Sequence, residues 1–412
     1  MTLLGRSLIT SSLALALSLG LGPACTPTPP ATEGSTSLAR SSAQTSAPPA
    51  APPSAADAAP SASAKRAAEA EAKRFSDLVN DLSEPDTYFF SDNLITNETS
   101  YLQIADELQS EAPAGSVYLG VGPEQNFSYI ARARPSMAFV VDIRRANTLL
   151  HLLYRAAFES AESRAHFVAL LLGRAHDTEK TNAADASVDA VFAAATTGDA
   201  SEATFTAAHD ALMKLVRTWG VKLTKEDEAA MKKMHHAFFE DQLAIRFELH
   251  EKNGRAYPTL REILQTRSPS DKSGSFLASE DDFRFVQTMQ REGRVVPIVG
   301  DFAGDHALPQ LASYLQSEGK SVGVFYVSNV EQYLLEPKAF AKWVRNVRAL
   351  PKTDKSLFVR AYLDQGRKHP EQMKGHRTAT VLARITDFEK SFGDKATTTF
   401  WALCTENKIA SR

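Results

Sequence analysis

Five short apolar runs, at 117–121, 137–143, 295–299, 322–327 and 356–362, alternate with segments whose hydrophobic residues recur at the helical period. This alternation is the tightest constraint on the fold. A strand that is apolar on both faces must be covered on both, and a parallel neighbour is reached only through a connection of helix length. Helices are therefore expected at 124–132, 144–160, 306–318 and 338–350, with a break at Pro135 and glycines or prolines at the strand ends. Before the first strand, 65–82 and 98–110 also read as helical, and 88–96 is an irregular stretch with exposed aromatics.

Two further apolar runs, 378–385 and 397–403, lie close enough in sequence to pair as an antiparallel edge. The pattern predicts an α/β fold: a Rossmann-like, mostly parallel sheet of about seven strands, with an antiparallel C-terminal edge and a large helical insertion. The expected units are an N-terminal helical cap (65–115), a first half-sheet (116–162), the insertion (163–290) and a second half-sheet (291–412). By its length the insertion is expected to cap the site.

The N-terminus has a different character. Arg6 precedes an apolar run at 8–21, which is followed by Gly22-Pro23-Ala24-Cys25. This is the organisation of a secretory signal, and the run is shorter than the roughly 18–20 residues a membrane span needs. It resembles the bacterial lipoprotein signal (1–25), which implies acylation of Cys25, cleavage just before that residue, and a membrane anchor through its lipid. From 26 to 64 the chain is almost entirely small residues and proline, a composition that buries too little surface to order itself and predicts a disordered tether. Cys404 is the only other cysteine, so an acylated Cys25 leaves no internal disulfide. A net charge of -3 with interspersed signs offers no basic field for nucleic acid and no polybasic surface for lipid headgroups. The expectation is an exported lipoprotein of a bacterial cell envelope.

In open α/β sheets a ligand lies beyond the carboxyl ends of the strands. After the first strand comes Gly120-Val121-Gly122-Pro123-Glu124-Gln125-Asn126, where glycines let the backbone turn and approach a ligand closely. Asp142 ends the second strand about 20 residues on, where a carboxylate accepts hydrogen bonds from ribose hydroxyls. Glu124 stands at a helix N-terminus, which disfavours a pyrophosphate there and tolerates a positive sulfonium. Plainer uses stay open: a tight turn for the glycines, a helix-dipole partner for Glu124, and a pairing of Asp142 with Arg144 or Arg145. Asn97 similarly reads as a helix cap or a lid residue.

The segments 116–143 and 295–403 together resemble the class I S-adenosylmethionine-dependent methyltransferases. The resemblance implies that Gly120 and Gly122, with Glu124 and Asn126 beside them, line the methionine and ribose of the cofactor. It also implies that Asp142 holds the ribose and that Asp301 and Phe302 lie beside the adenine. The stretch 327–331 would face the transferred methyl, with Tyr326, Asn329 and Glu331 holding the acceptor. Two positions depart from that family: Tyr118 stands where an acidic residue is usual, and Glu124 where a third glycine is usual. The dinucleotide pattern also fails, since Gln125 occupies its third glycine.

Two functions follow. The first is an envelope-tethered methyltransferase-like domain binding S-adenosylmethionine or a related nucleoside. The second is a non-catalytic lipoprotein that uses a degenerate Rossmann-like fold to bind a small ligand or an envelope protein partner. S-adenosylmethionine is a cytoplasmic metabolite, so export weighs against the first. No nucleophile elbow, phosphate loop or paired-cysteine metal site occurs. His236 and Glu240 have metal-compatible i, i+4 spacing but lack a third ligand, and are read with His235 and Asp241 as a solvated helix face, with no metal.

Overall fold

Residues 62–176, 184–251, 254–395 and 397–409 are described by a computed structural model. The signal, Cys25 and nearly all of the expected tether lie outside these residues. Among the described residues no helix is long and apolar enough to cross a membrane.

Strands β1 (Val117–Gly120), β2 (Met137–Asp142), β3 (Val295–Val299), β4 (Val322–Ser328) and β5 (Lys352–Leu363) are mutually parallel. β6 (Thr378–Arg384) joins β5 antiparallel, and the two-residue β7 (Lys408–Ile409) joins β6 the same way. They form one sheet in the order β3-β2-β1-β4-β5-β6-β7. The chain thus builds outward from β1 to β3, crosses back, and builds outward again from β4. That reversal places a topological switch point between β1 and β4, where such sheets bind ligands.

Helix α1 (Ala62–Leu82) and the short α2 (Ala105–Glu111) precede β1. α3 (Gln125–Ala133) links β1 to β2, and α4 (Arg145–Ser160) follows β2. The insertion then carries α5 (Arg164–Leu171), α6 (Val188–Ala195), α7 (Glu202–Val216), α8 (Lys225–Asp241) and α9 (Leu260–Leu264). α10 (Glu280–Arg291) leads into β3, α11 (Ala307–Ser317) connects β3 to β4, and α12 (Pro337–Ala349) connects β4 to β5. α13 (Ile385–Phe392) and α14 (Phe400–Thr405) close the chain.

Because parallel crossovers are right-handed, reversing the direction of strand addition moves the helices to the other face. Accordingly α3, α4 and α10 pack together in one layer, while α1 meets α11 and α11 meets α12 in the other. With helices on both sides, β1, β2 and β3 are buried along their whole length. This is the α/β architecture the alternation predicts.

Two details differ from the sequence reading. The run 397–403 is not a strand: the Thr399 side chain caps α14, and Phe400, Leu403 and Cys404, spaced for one helix face, are buried against the core. The outermost strand is instead Lys408–Ile409. α10, placed by sequence inside the insertion, belongs to the helical layer on the sheet. Its Gln287 Nε2 donates to the carbonyls of Phe158 and Ala161 at 2.8 Å, locking it to the end of α4.

Candidate functional site

A cavity of about 640 Å³ runs along the carboxyl edge of the parallel strands. Its floor takes Gly122 from the turn after β1, Asp142 from β2, Asp301 and Phe302 from the turn after β3, and Tyr326, Ser328 and Asn329 from β4 and just beyond. Its cover comes from two places. Residues 88–90, 93 and 95–98 of the segment between α1 and α2 form one wall, and Phe247, Leu249, Arg255 and Tyr257 of the insertion form another. The walls are joined: Ser91 bridges Leu249, His250 N–H donates to the Phe90 carbonyl at 3.0 Å, and His250 Nε2 meets Asp92 Oδ1 at 2.9 Å. The insertion therefore reaches the site through the segment after α8.

The glycine turn is held by Asn126. Its fully buried amide donates to the carbonyls of Val121, Gly122 and Pro123 at 2.8–3.0 Å, and its Oδ1 accepts from the Tyr118 hydroxyl at 2.9 Å. A Cβ on Gly120 would run into that Oδ1 and the Tyr118 ring, so glycine is needed there for packing. Gly122 is needed for conformation, with φ of +78°. Of the four residues expected around the cofactor in this turn, Gly122 lines the cavity; Gly120, Glu124 and Asn126 lie behind it. His151 supports the turn by donating from Nε2 to the Gly122 carbonyl at 2.9 Å, and burial pushes this imidazole down to about 4, so it is neutral at pH 7.

Asp142 lines the cavity with its carboxylate already engaged. Oδ1 accepts from the Arg144 backbone N–H and Nε, and Oδ2 accepts from Nη2. Arg145 turns away to Asp227. Asp301 Oδ1 accepts from Ala303 N–H at 2.9 Å, and Phe302 stacks on Trp343 with centroids 5.3 Å apart. Of the three residues expected to hold an acceptor, Tyr326 and Asn329 line the cavity. Glu331 does not: it is completely buried, bound by the Arg360 guanidinium and by Trp343 Nε1 at 3.0 Å. His235 points inward to His209, 3.1 Å away, whereas His236 meets Glu202 and Glu240 nearer the surface.

A polar cluster at the switch point went unread in the sequence. Glu98 Oε2 accepts from Gln125 Nε2 at 3.0 Å, and Oε1 accepts from the Ser328 hydroxyl. Thr96 N–H donates to both oxygens of Glu124 at 3.2 and 3.3 Å, and Thr96 Oγ1 donates to Gln125 Oε1 at 2.6 Å. Among the described residues no Lys, Arg or His forms an ion pair with Glu98 or Glu124. Burial raises both carboxyls, Glu124 to about 7. The mouth was read only as exposed aromatics within 88–96, without a role. Tyr88, Phe90 and Tyr333 are the exposed large hydrophobic side chains of the described residues, and all three line this cavity. The one available signal was the density of aromatics at 88–90.

Together these features define an α/β protein with a covered cavity at the switch point of a mostly parallel sheet. Residues 93–214 and 194–410 match the domain of unknown function DUF7790, and the chain belongs to that family. No curated protein matches it.

Proposed function

We propose that this cavity binds S-adenosylmethionine or a closely related nucleoside, and that the protein is a methyltransferase-like domain tethered to a cell envelope through Cys25. The observation that carries the reading is the convergence of Gly122, Asp142, Asp301 and Phe302, from three successive strand ends, on one cavity. Its volume falls within the roughly 300–1,000 Å³ of small-molecule sites.

The chemistry of the rim supports a nucleoside. A carboxylate has about four lone-pair positions, and Arg144 occupies three of them on Asp142, which leaves Oδ2 able to accept one ribose hydroxyl. Phe302 supplies an apolar surface for a base. A dinucleotide is disfavoured, because two carboxyls without a paired cation, Glu98 and Glu124, stand at the start of α3 where a pyrophosphate would otherwise bind. A sulfonium suits that field. Transfer would then depend on aligning acceptor and methyl in a site covered by the 88–98 segment and the insertion.

Ligand binding without transfer is the second reading, and it gains from Glu331 being committed to Arg360 rather than to the cavity. Calorimetric titration of the protein with S-adenosylmethionine and its demethylated product tests what the two readings share. Binding of both is expected, and heat from neither would end the nucleoside reading. Release of the demethylated product in the presence of acceptor then separates catalysis from binding.

A further inference from the structure

We infer that the methyl acceptor is an organic amine, received by the carboxylate of Glu98; this rests on the transfer reading above.

Glu98 comes from the segment before the sheet, yet it lies at the switch point and lines the cavity. Ser328, at the end of β4, is held at φ of +51°, a left-handed conformation that is strained for serine. In that conformation its hydroxyl is hydrogen-bonded to Glu98. The titratable groups facing Glu98 are Glu124 and the phenols of Tyr118, Tyr129 and Tyr326, and none of them is a cation. A buried carboxylate without a counter-charge is costly, and a ligand that brings one relieves that cost.

The mouth of the cavity that Glu98 lines is aromatic. Phe89 stacks on Phe90 with centroids 4.3 Å apart, and Tyr333 meets Phe89 and Phe90 at 5.7 and 6.0 Å. Ring faces carry partial negative charge and attract ammonium groups, especially where water is excluded. An aromatic mouth and a buried carboxylate in one cavity favour an ammonium on an apolar body.

The division of the cavity agrees with this. Asp142, Asp301 and Phe302 stand on the β2–β3 side, whereas Glu98, through Ser328, stands on the β4 side. An amine arrives protonated and has no free electron pair. Glu98 takes one proton from the nitrogen, and the freed pair attacks the methyl carbon of the sulfonium. The carbon–sulfur bond breaks with its electrons passing to sulfur, giving a neutral thioether and an N-methylammonium. The proton on Glu98 then leaves to solvent. Burial, which raises the Glu98 carboxyl, makes it a stronger proton acceptor.

The test uses two probes of one skeleton, phenethylamine and phenethyl alcohol, titrated into the full-length protein with and without saturating demethylated cofactor. The amine should bind about tenfold more tightly than the alcohol, as a charged hydrogen bond requires. The preference should persist with the cofactor product bound and disappear in Glu98→Gln. Equal binding of the two probes, a preference that survives Glu98→Gln, or displacement of the amine by the cofactor product would overturn the inference. Should Glu98→Gln fail to fold, the wild type still decides through the two probes: an amine preference of about tenfold that persists with the cofactor product bound supports the inference, and equal binding overturns it. If the cofactor product does not bind at all, the nucleoside reading fails, and with it the acceptor role; a failed amine preference beside intact cofactor binding ends the amine inference alone.

Discussion

Arg144 closes on Asp142, two residues before it, through its backbone N–H at 2.9 Å, Nε at 3.0 Å and Nη2 at 2.8 Å, with both side chains buried. Its remaining nitrogen, Nη1, donates to the Asp92 carbonyl, and the guanidinium lies 5.8 Å from the Phe89 ring centroid. This one pair ties the second strand to the aromatic wall of the cavity. The residue placed by sequence to meet a ribose is therefore also a structural anchor.

Substitutions at Asp142 should separate those roles. Asp142→Ala leaves a buried guanidinium unpaired, which typically lowers stability by about 3–5 kcal/mol. Asp142→Asn keeps an acceptor for Arg144 and should lower stability less, while weakening nucleoside binding by about 1–3 kcal/mol through the lost charged hydrogen bond. Urea unfolding and calorimetry read the two effects. An Asn variant that binds S-adenosylmethionine as tightly as the wild type would remove Asp142 from the ligand's contacts.

The two glycines of the β1 turn should respond differently to alanine. At Gly122 a methyl meets nothing within 4 Å, so the penalty is that of a left-handed backbone, about 1–2 kcal/mol. At Gly120 a methyl collides with Asn126, whose side chain is fixed by four hydrogen bonds and cannot swing away cheaply. Gly120→Ala should therefore give the larger fall in melting temperature. The reverse order would mean that Asn126 does not hold the turn.

How far the site was legible follows from the same residues. Strand ends can be read from apolar runs, and in a parallel sheet they all face one edge, which is why Gly122, Asp142, Asp301, Phe302, Tyr326 and Asn329 were found together. The Asp142–Arg144 pair was visible as an alternative because it is local. Commitments between distant residues left no periodic trace. Glu331 finds Arg360 29 positions later, and Glu98 finds Ser328 230 positions later. Asn126 is local, but nothing in its neighbours showed that its amide would turn onto the backbone. At 397–403 an apolar run too short to show its period was taken for a strand, and the Thr399 cap decided for a helix.

Glu331 should behave as a structural residue. With Arg360 1% exposed and Glu331 completely buried, Glu331→Ala strands a buried guanidinium and should lower stability by about 3–5 kcal/mol. At low temperature, where enough protein stays folded, its affinity for S-adenosylmethionine should match the wild type. A variant with normal stability but impaired binding would place Glu331 back at the site.

The pH dependence of stability sets Glu124 against His151. Burial raises the Glu124 carboxyl from 4.5 to about 7, so between those values the folded state binds more protons than the unfolded one. Its contribution is full below pH 4.5 and is lost as the pH rises through 7. Burial lowers His151 from 6.5 to about 4, so its contribution is present above pH 6.5 and is lost as the pH falls through 4. His235, also lowered to about 4, acts in the same direction as His151. Over the range from about 4.5 to 6.5 the carboxyl and the imidazoles oppose one another, which flattens the profile. Glu124→Gln removes only the carboxyl's part, and its Oε1 can still accept from Thr96 N–H. Its melting temperature should match the wild type near pH 4.5 and exceed it at pH 8, where the wild type bears a charge-burial penalty on the order of 3 kcal/mol. On acidification from pH 7 the variant should then lose stability more steeply than the wild type, because the imidazoles act unopposed. A variant less stable than the wild type at pH 8 would mean that the Glu124 charge is compensated in the folded protein.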